Sequence, residues 1–351
     1  MTIAIALIAF APTYAAIGTA APLLIVLARL LQGFATGGEF ASATSFLVES
    51  APPHRRGFYG SWQMVGQGTA ALLGATSGWA VTHLLTPAQV DGWGWRLPFL
   101  FGLIIGPVGL YIRRHVPETR VFVAAHTAAR PRVTLLQTLA RHPRELLVTL
   151  GGVICGTISY YVVLVYMPTF ANKQLHIPLD DALLAQVIGT ATMTVTTPFF
   201  GSLSDRIGRK PVIISALALY LALLYPIYMW LYNEATLAHL IAAQCILCLL
   251  LGAFFGPLST ALAEQFPATI RSTGLAIAYN VAVMLFGGFA QFIVTWLIHT
   301  TGVAIAPVFY VIAGTVIGLI AAFNLTEAGG TSLLAADMLD DDAGPESALL
   351  H

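Results

Sequence analysis

Charge is scarce in this sequence. Asp, Glu, Lys and Arg make up only 9% of its 351 residues, against about 25% in soluble domains. A chain so poor in charge cannot coat a globule in water. Its 16 basic and 16 acidic residues cancel, so no net field selects nucleic acid or another polyanion as a partner. Signatures of catalysis are missing as well. No G-x-x-x-x-G-K-[ST] loop cradles ATP phosphates, and no H-E-x-x-H or G-x-S-x-G pattern marks a hydrolase. ATP-driven pumping is therefore not encoded in this chain, and an enzyme is not expected. Cysteine is equally rare: Cys155, Cys245 and Cys248 all lie in apolar runs. Cys245-x-x-Cys248 has no second pair and no neighbouring His, so helix-face packing is the expectation for it. The nine histidines are scattered, mostly in loops or at span ends. No metal or cofactor is expected, and His83 and His299, which titrate near physiological pH, read as passive.

Apolar residues fill the space that charge leaves. They make up 57% of the chain, and mean hydropathy is +0.80, so the bilayer is the expected solvent. A spanning helix needs roughly 20 mostly apolar residues. That ruler predicts ten spans, near 1–17, 22–46, 61–85, 96–113, 146–170, 183–203, 211–231, 238–262, 273–298 and 304–325. The first opens at Met1 without the basic n-region of a signal peptide. The expected organisation is a four-span bundle over 1–113, a basic linker over 114–145, a six-span bundle over 146–325 and an acidic, disordered tail over 326–351.

The few charges are placed with a strong bias. Arg55, Arg56, Arg113, Arg114, Arg120, Arg130, Arg132, Arg141, Arg144, Arg206, Arg209, Lys210 and Arg271 all fall on one side of the ten spans. The other side has only Arg96 and Lys173, and Arg29 lies inside a span. Basic loops face the cytoplasm, which predicts a multi-pass bacterial inner-membrane protein with its C-terminus inside. Trp93, Trp95, Trp230 and Tyr232 on the opposite side suit an interfacial aromatic belt.

An internal repeat supports that topology. Glu49-Ser-Ala-Pro52-Pro-His-Arg-Arg56 shares the pattern E-x-x-P-x-x-x-R with Glu264-Gln-Phe-Pro267-Ala-Thr-Ile-Arg271, 215 positions further on. Duplicated halves are a hallmark of secondary transporters. The same offset applied to the loop at 201–210 lands before Met1, so two further helices are expected at the front of the complete repeat.

These residues carry a family resemblance. Gly201-x-x-x-Asp205-Arg206-x-Gly208-Arg209-Lys210 resembles the signature loop of the major facilitator superfamily. Arg29-Leu-Leu-Gln32-Gly33-Phe-Ala-Thr-Gly37-Gly38-Glu39 is similar to the fourth-helix motif of its metabolite:proton symporters. Glu264-x-Phe266-Pro267-x-x-x-Arg271-x-x-Gly274, and Tyr279-Asn280 followed by Phe286-Gly287-Gly288, look like the same branch. The resemblance implies an all-α membrane fold of two six-helix bundles, of which about ten helices are present here. It also implies proton-coupled uptake of citrate or another organic acid, 2-oxoglutarate, shikimate, or proline and betaine. The stretch 287–298 leans towards the citrate type, although Gln291 stands where a proline is common.

Two charges inside one span are the sharpest signal. A charge at mid-bilayer costs about 2.5–3.5 kcal/mol, so it persists only with a partner or a watery cavity. At 100° per residue, Gln32, Thr36 and Glu39 lie within about 80° of Arg29 on one face. One reading gives Arg29 a substrate carboxylate, which guanidinium grips with two bonds, and Glu39 the coupling proton, its affinity tuned by desolvation and the nearby Arg. The other reading is a fixed ion pair that ties helices together. Gln32, Gln67, Tyr160, Tyr161, Asn280 and Gln291 are further candidates for substrate contact. Tyr166 is more simply an interfacial anchor, and Gly74-x-x-x-Gly78 a packing motif. Glu49, Arg56, Asp205, Arg206, Arg209, Glu264 and Arg271 are expected to latch the basic face shut, a gating role rather than one in substrate choice. A solvated loop is the alternative, since single surface pairs contribute only about 0–1 kcal/mol. The expected partners are a small organic acid, protons and lipid, with no nucleic acid, and the expected state is a monomer. A zwitterion carrier and a membrane scaffold or sensor that has lost transport are the rival readings.

Overall fold

The computed structural model describes residues 1–36, 38–115 and 141–327, and among these there is no strand. The first half holds α1 (Thr2–Ala9), α2 (Tyr14–Ile17), α3 (Ala20–Thr36), α4 (Glu39–Ser50), α5 (Arg56–Leu84), α6 (Pro87–Gly92), α7 (Leu97–Gly102) and α8 (Ile105–His115). The second holds α9 (Pro143–Ser159), α10 (Met167–Gln174), α11 (Leu179–Ile207), α12 (Arg209–Asn233), α13 (Leu237–Ala263), α14 (Arg271–Ala282), α15 (Ala290–Thr301) and α16 (Pro307–Phe323). Short π-helical stretches, Tyr160–Tyr166 and Val283–Gly287, join α9 to α10 and α14 to α15.

Among the described residues, six helical segments are long and apolar enough to cross a membrane: Gly94–Ile112, Pro143–Gln174, Leu179–Ile207, Arg209–Asn233, Leu237–Ala263 and Arg271–Thr301. Pro307–Phe323 is a shorter apolar helix. The 29-residue α5 is long enough, but Gln63, Gln67 and its Ser and Thr residues dilute its apolar content. Two predicted spans are interrupted. Residues 1–17 form two short helices, because Pro12 has no N–H to continue α1. Residues 22–46 break between α3 and α4 around Gly38, where glycine costs helix stability. Residues 116–140, most of the expected linker with Arg120, Arg130 and Arg132, lie outside the described residues. So do residues 328–351 of the tail.

The second half has a dense core with a seven-residue beat. Leu217, Leu224 and Leu231 of α12 are fully buried, as are Leu240 and Leu247 of α13 and Val308 and Val311 of α16. This stripe packs α12 against both α13 and α16. The π stretch at Tyr160–Tyr166 has an identifiable cause. Pro168 cannot donate to the carbonyl of Leu164, four residues back. Gln186 of α11 supplies the missing bond, its Nε2 donating to Leu164 O at 2.8 Å.

The halves meet where α5 packs along α11 and α13, and α4 against α14. The α5–α11 crossing is tight: a Cβ on Gly57 would lie 2.5 Å from Gly201 O. Only glycine admits such an approach. At the same level, Thr260 Oγ1 of α13 donates to Arg56 O at 2.9 Å.

Candidate functional site

Charged residues from both halves converge on one face of the molecule. Arg271, 1% exposed as a side chain, donates from Nη1 to Glu49 Oε1 at 2.9 Å and from Nε to Ala263 O at 3.0 Å. Asp205, at the end of α11, faces the start of α5. Its two carboxylate oxygens accept the backbone N–H groups of Gly57 at 2.8 Å and Phe58 at 2.9 Å. Those N–H groups are unsatisfied donors at the positive end of the helix dipole, so a carboxylate there is doubly favoured. Arg209 Nη1 pairs with Asp205 Oδ1 at 2.8 Å, and Nη2 lies 3.5 Å from Glu264 Oε1. Arg56 Nη1 approaches the same oxygen at 4.0 Å. Burial pushes the Glu264 carboxyl above the usual carboxylate range, while Arg209 and Arg56 pull it back. Six of the seven predicted gating residues thus fall into two ion-paired groups, Glu49–Arg271 and Asp205–Arg209–Glu264–Arg56, each of which bridges the halves. Arg206 is exposed.

A cavity of about 300 Å³ lies deeper between the halves. Gln67, eleven residues into α5, is about 16 Å from Arg56 along the helix axis, which is mid-depth for a core of roughly 30 Å. Predicted residues Gln67, Tyr160 and Tyr161 line this cavity with Phe40, Tyr279 and Phe255. Gln67 Nε2 donates to Tyr279 Oη at 3.2 Å. The Tyr279 ring stacks on Phe40, with centroids 3.9 Å apart and planes 7° apart. None of its lining residues is Asp, Glu, Lys or Arg. A second, shallower cavity of about 520 Å³ lies between α4 and α14 and is lined by Asn280 with Ser42, Ser272 and Thr273.

The remaining predicted residues stand apart from both cavities. Arg29 is exposed and donates from Nη1 to Gln32 Oε1 at 3.1 Å. Glu39 is exposed at the first position of α4, beside the break, and Gln291 is exposed on α15. No ion pair joins Arg29 to Glu39 among the described residues. Phe40 and Tyr279 were not among the predicted contacts. Tyr279 is adjacent to the predicted Asn280, but an aromatic ring in an apolar helix carries no sign of which way it points.

Comparison with known proteins bears on the fold as a whole. The family described as Major Facilitator Superfamily matches residues 1–194 and 154–333. A citrate-proton symporter of Klebsiella pneumoniae is 35% identical over 333 residues, which cover 94% of this chain and 74% of that protein. A proline/betaine transporter of Salmonella typhimurium is 33% identical over 347 residues, covering 96% of this chain and 69% of its own. Among solved structures, a proton:xylose symporter bound to 6-bromo-6-deoxy-D-glucose superposes with a TM-score of 0.73 at 19% identity. That superposition covers 95% of this chain and 82% of the other.

Proposed function

This chain belongs to the major facilitator superfamily, and from that premise we propose that it is a proton-coupled symporter of a small organic acid such as citrate. It works by alternating access between its two helical halves in the bacterial inner membrane. One observation carries the reading: a mid-depth cavity between the halves is closed at one face by ion pairs that cross from half to half. Such a closure is reversible, because charges that leave each other can be re-solvated by water entering from that face. The closed face carries the basic residues and is the cytoplasmic one. Glu49, Arg56, Asp205, Arg209, Glu264 and Arg271 hold it shut. Arg206, exposed beside them, assists in another conformation.

Gln67, Tyr160 and Tyr161 contact the solute in the deep cavity. Asn280 lies on the shallower one beside it. Arg29, with Gln32, receives the carboxylate, Glu39 carries the coupling proton, and Gln291 contributes from α15. The exposed positions of Arg29 and Glu39 are consistent with such work, since neither is locked into a dry pair with the other.

The cavity wall favours a second reading of the solute. Phe40, Tyr160, Tyr161 and Tyr279 present aromatic faces with no formal charge among them. Aromatic faces attract quaternary ammonium groups, so the ammonium end of a betaine-like zwitterion fits this wall. Uptake of labelled citrate and labelled glycine betaine into proteoliposomes, with and without an imposed inward proton gradient, tests both. Gradient-driven citrate uptake is the expected result. Driven uptake of betaine alone selects the second reading, and silence of both solutes under every gradient ends the symporter proposal.

A further inference from the structure

The chain leaving α16 runs back across the latched face and is tied down at three consecutive residues. Lys210 Nζ, in the first turn of α12, donates to Phe323 O at 2.6 Å and to Leu325 O at 3.4 Å. It thereby caps carbonyls at the negative end of α16. Gln265 grips both edges of Thr326: its Nε2 donates to Thr326 O at 3.0 Å, and its Oε1 accepts from Thr326 N–H at 3.2 Å. The same Nε2 donates to Ala261 O at 3.1 Å, so the side chain is fixed from both ends. Gln265 and Leu325 are buried. The Glu327 carboxylate then lies against Gly208, so close that a methyl group on Gly208 would overlap it. Gly208 has φ +98°, a conformation that glycine adopts freely and other residues avoid.

The sequence neighbours of these anchors give the contacts their meaning. Gly208 and Lys210 flank Arg209, and Gln265 follows Glu264. The strap therefore fixes the ends of α12 and α13 on either side of the Arg209–Glu264 pair. That pair in turn faces Arg56 and Asp205, where the second half meets α5. A salt bridge depends on the placement of both its partners, and 1 Å of drift at a helix end weakens it sharply.

We propose that Leu325–Glu327 is a positioning strap for the inner latch, acting through Lys210, Gln265 and Gly208, so that its release loosens the closed cytoplasmic face. This rests on the reading of the charge network as a gate. Ser61, fully buried where α5 meets Gly201, supplies the probe. In the full-length protein with Cys155, Cys245 and Cys248 replaced by serine, Ser61→Cys is labelled from the cytoplasmic side with a membrane-impermeant maleimide.

Thr326→Pro, which removes the N–H given to Gln265, and Lys210→Gln are each expected to speed labelling roughly three- to tenfold, the loss of about one hydrogen bond. Arg271→Ala, a direct break of the latch, should speed it further. In a Glu264→Gln background the strap variants should add little, because they act through that residue, whereas a merely structural role would remain additive. Parental labelling rates in both strap variants, with Arg271→Ala still fast, overturn the strap alone. An unchanged rate in Arg271→Ala overturns the gate reading and the strap with it. If Thr326→Pro does not fold, Lys210→Gln, which leaves the backbone intact, decides by the same rates.

Discussion

The charges paired where the halves meet and those at the break between α3 and α4 come from one sequence with the same residue types, yet they live differently. At the face, Arg271 and Glu49 are nearly excluded from solvent and bonded to each other. Asp205 satisfies two backbone donors and one guanidinium. At the break, Arg29 bonds to Gln32 of its own helix, and Glu39 stands exposed. Charge in the first region is committed to structure in this conformation, whereas charge in the second stands exposed, open to the solute and proton roles proposed for it. Substitution should therefore cost stability in one region and transport in the other.

The largest effect is expected for Arg271→Ala, which leaves Glu49 buried without its cation. Breaking a buried pair from one side costs about 3–5 kcal/mol, read as a large fall in the thermal midpoint of the detergent-purified protein. Adding Glu49→Gln should recover part of that fall. A midpoint near the parental value would mean that Glu49 is solvated and the comparison is false.

Asp205→Asn comes next. It removes the charge that caps α5 and pairs with Arg209, for a loss of about 1–3 kcal/mol. In the cavity, Tyr279→Phe deletes the acceptor of the Gln67 bond while keeping the stack on Phe40. A fall of about fivefold in solute affinity with an unchanged midpoint is expected, near 1 kcal/mol. Unaltered affinity would place the solute elsewhere.

Glu39→Gln should change stability by less than about 0.5 kcal/mol, as exposed substitutions do, while abolishing gradient-driven uptake and sparing exchange. Full driven uptake would remove Glu39 as the proton carrier. The subtlest expectation concerns pH. Burial raises the Glu264 carboxyl in the closed form, so on acidification that form takes up a proton before an open, solvated form does. Acidification through the window between the ordinary and the raised value should therefore favour the closed face. In the Ser61→Cys labelling assay this appears as a steeper fall in rate at lower pH than the loss of thiolate alone produces, and Glu264→Gln should remove that excess.

Much of this was legible beforehand, for physical reasons that differ from element to element. Spans such as 183–203 and 238–262 announce themselves because hydrocarbon demands about 20 apolar residues from any helix that crosses it. The clustering of Glu49, Arg56, Glu264 and Arg271 was legible because the pattern around the first two recurs at the last two. Arg206 and Arg209 were not separable in that way. Only the positive-φ turn at Gly208 sets Arg209 across from Asp205 and leaves its neighbour outside. The break of the second span at Gly38 also escaped an apolar count, which sums residues without asking whether the backbone runs on.

Sequence alone determined the solvent, the helical class and the family, because these follow from composition, period and motif, which are properties of the chain read in one dimension. Only the tertiary structure decided which charges are paired, which aromatic rings share a cavity wall, and that Thr326 lies in the grip of Gln265. Those facts depend on distances between residues far apart in the chain, such as the 2.9 Å between Arg271 and Glu49. Coulombic and hydrogen-bond energies respond to such distances, and no spacing along a sequence encodes them.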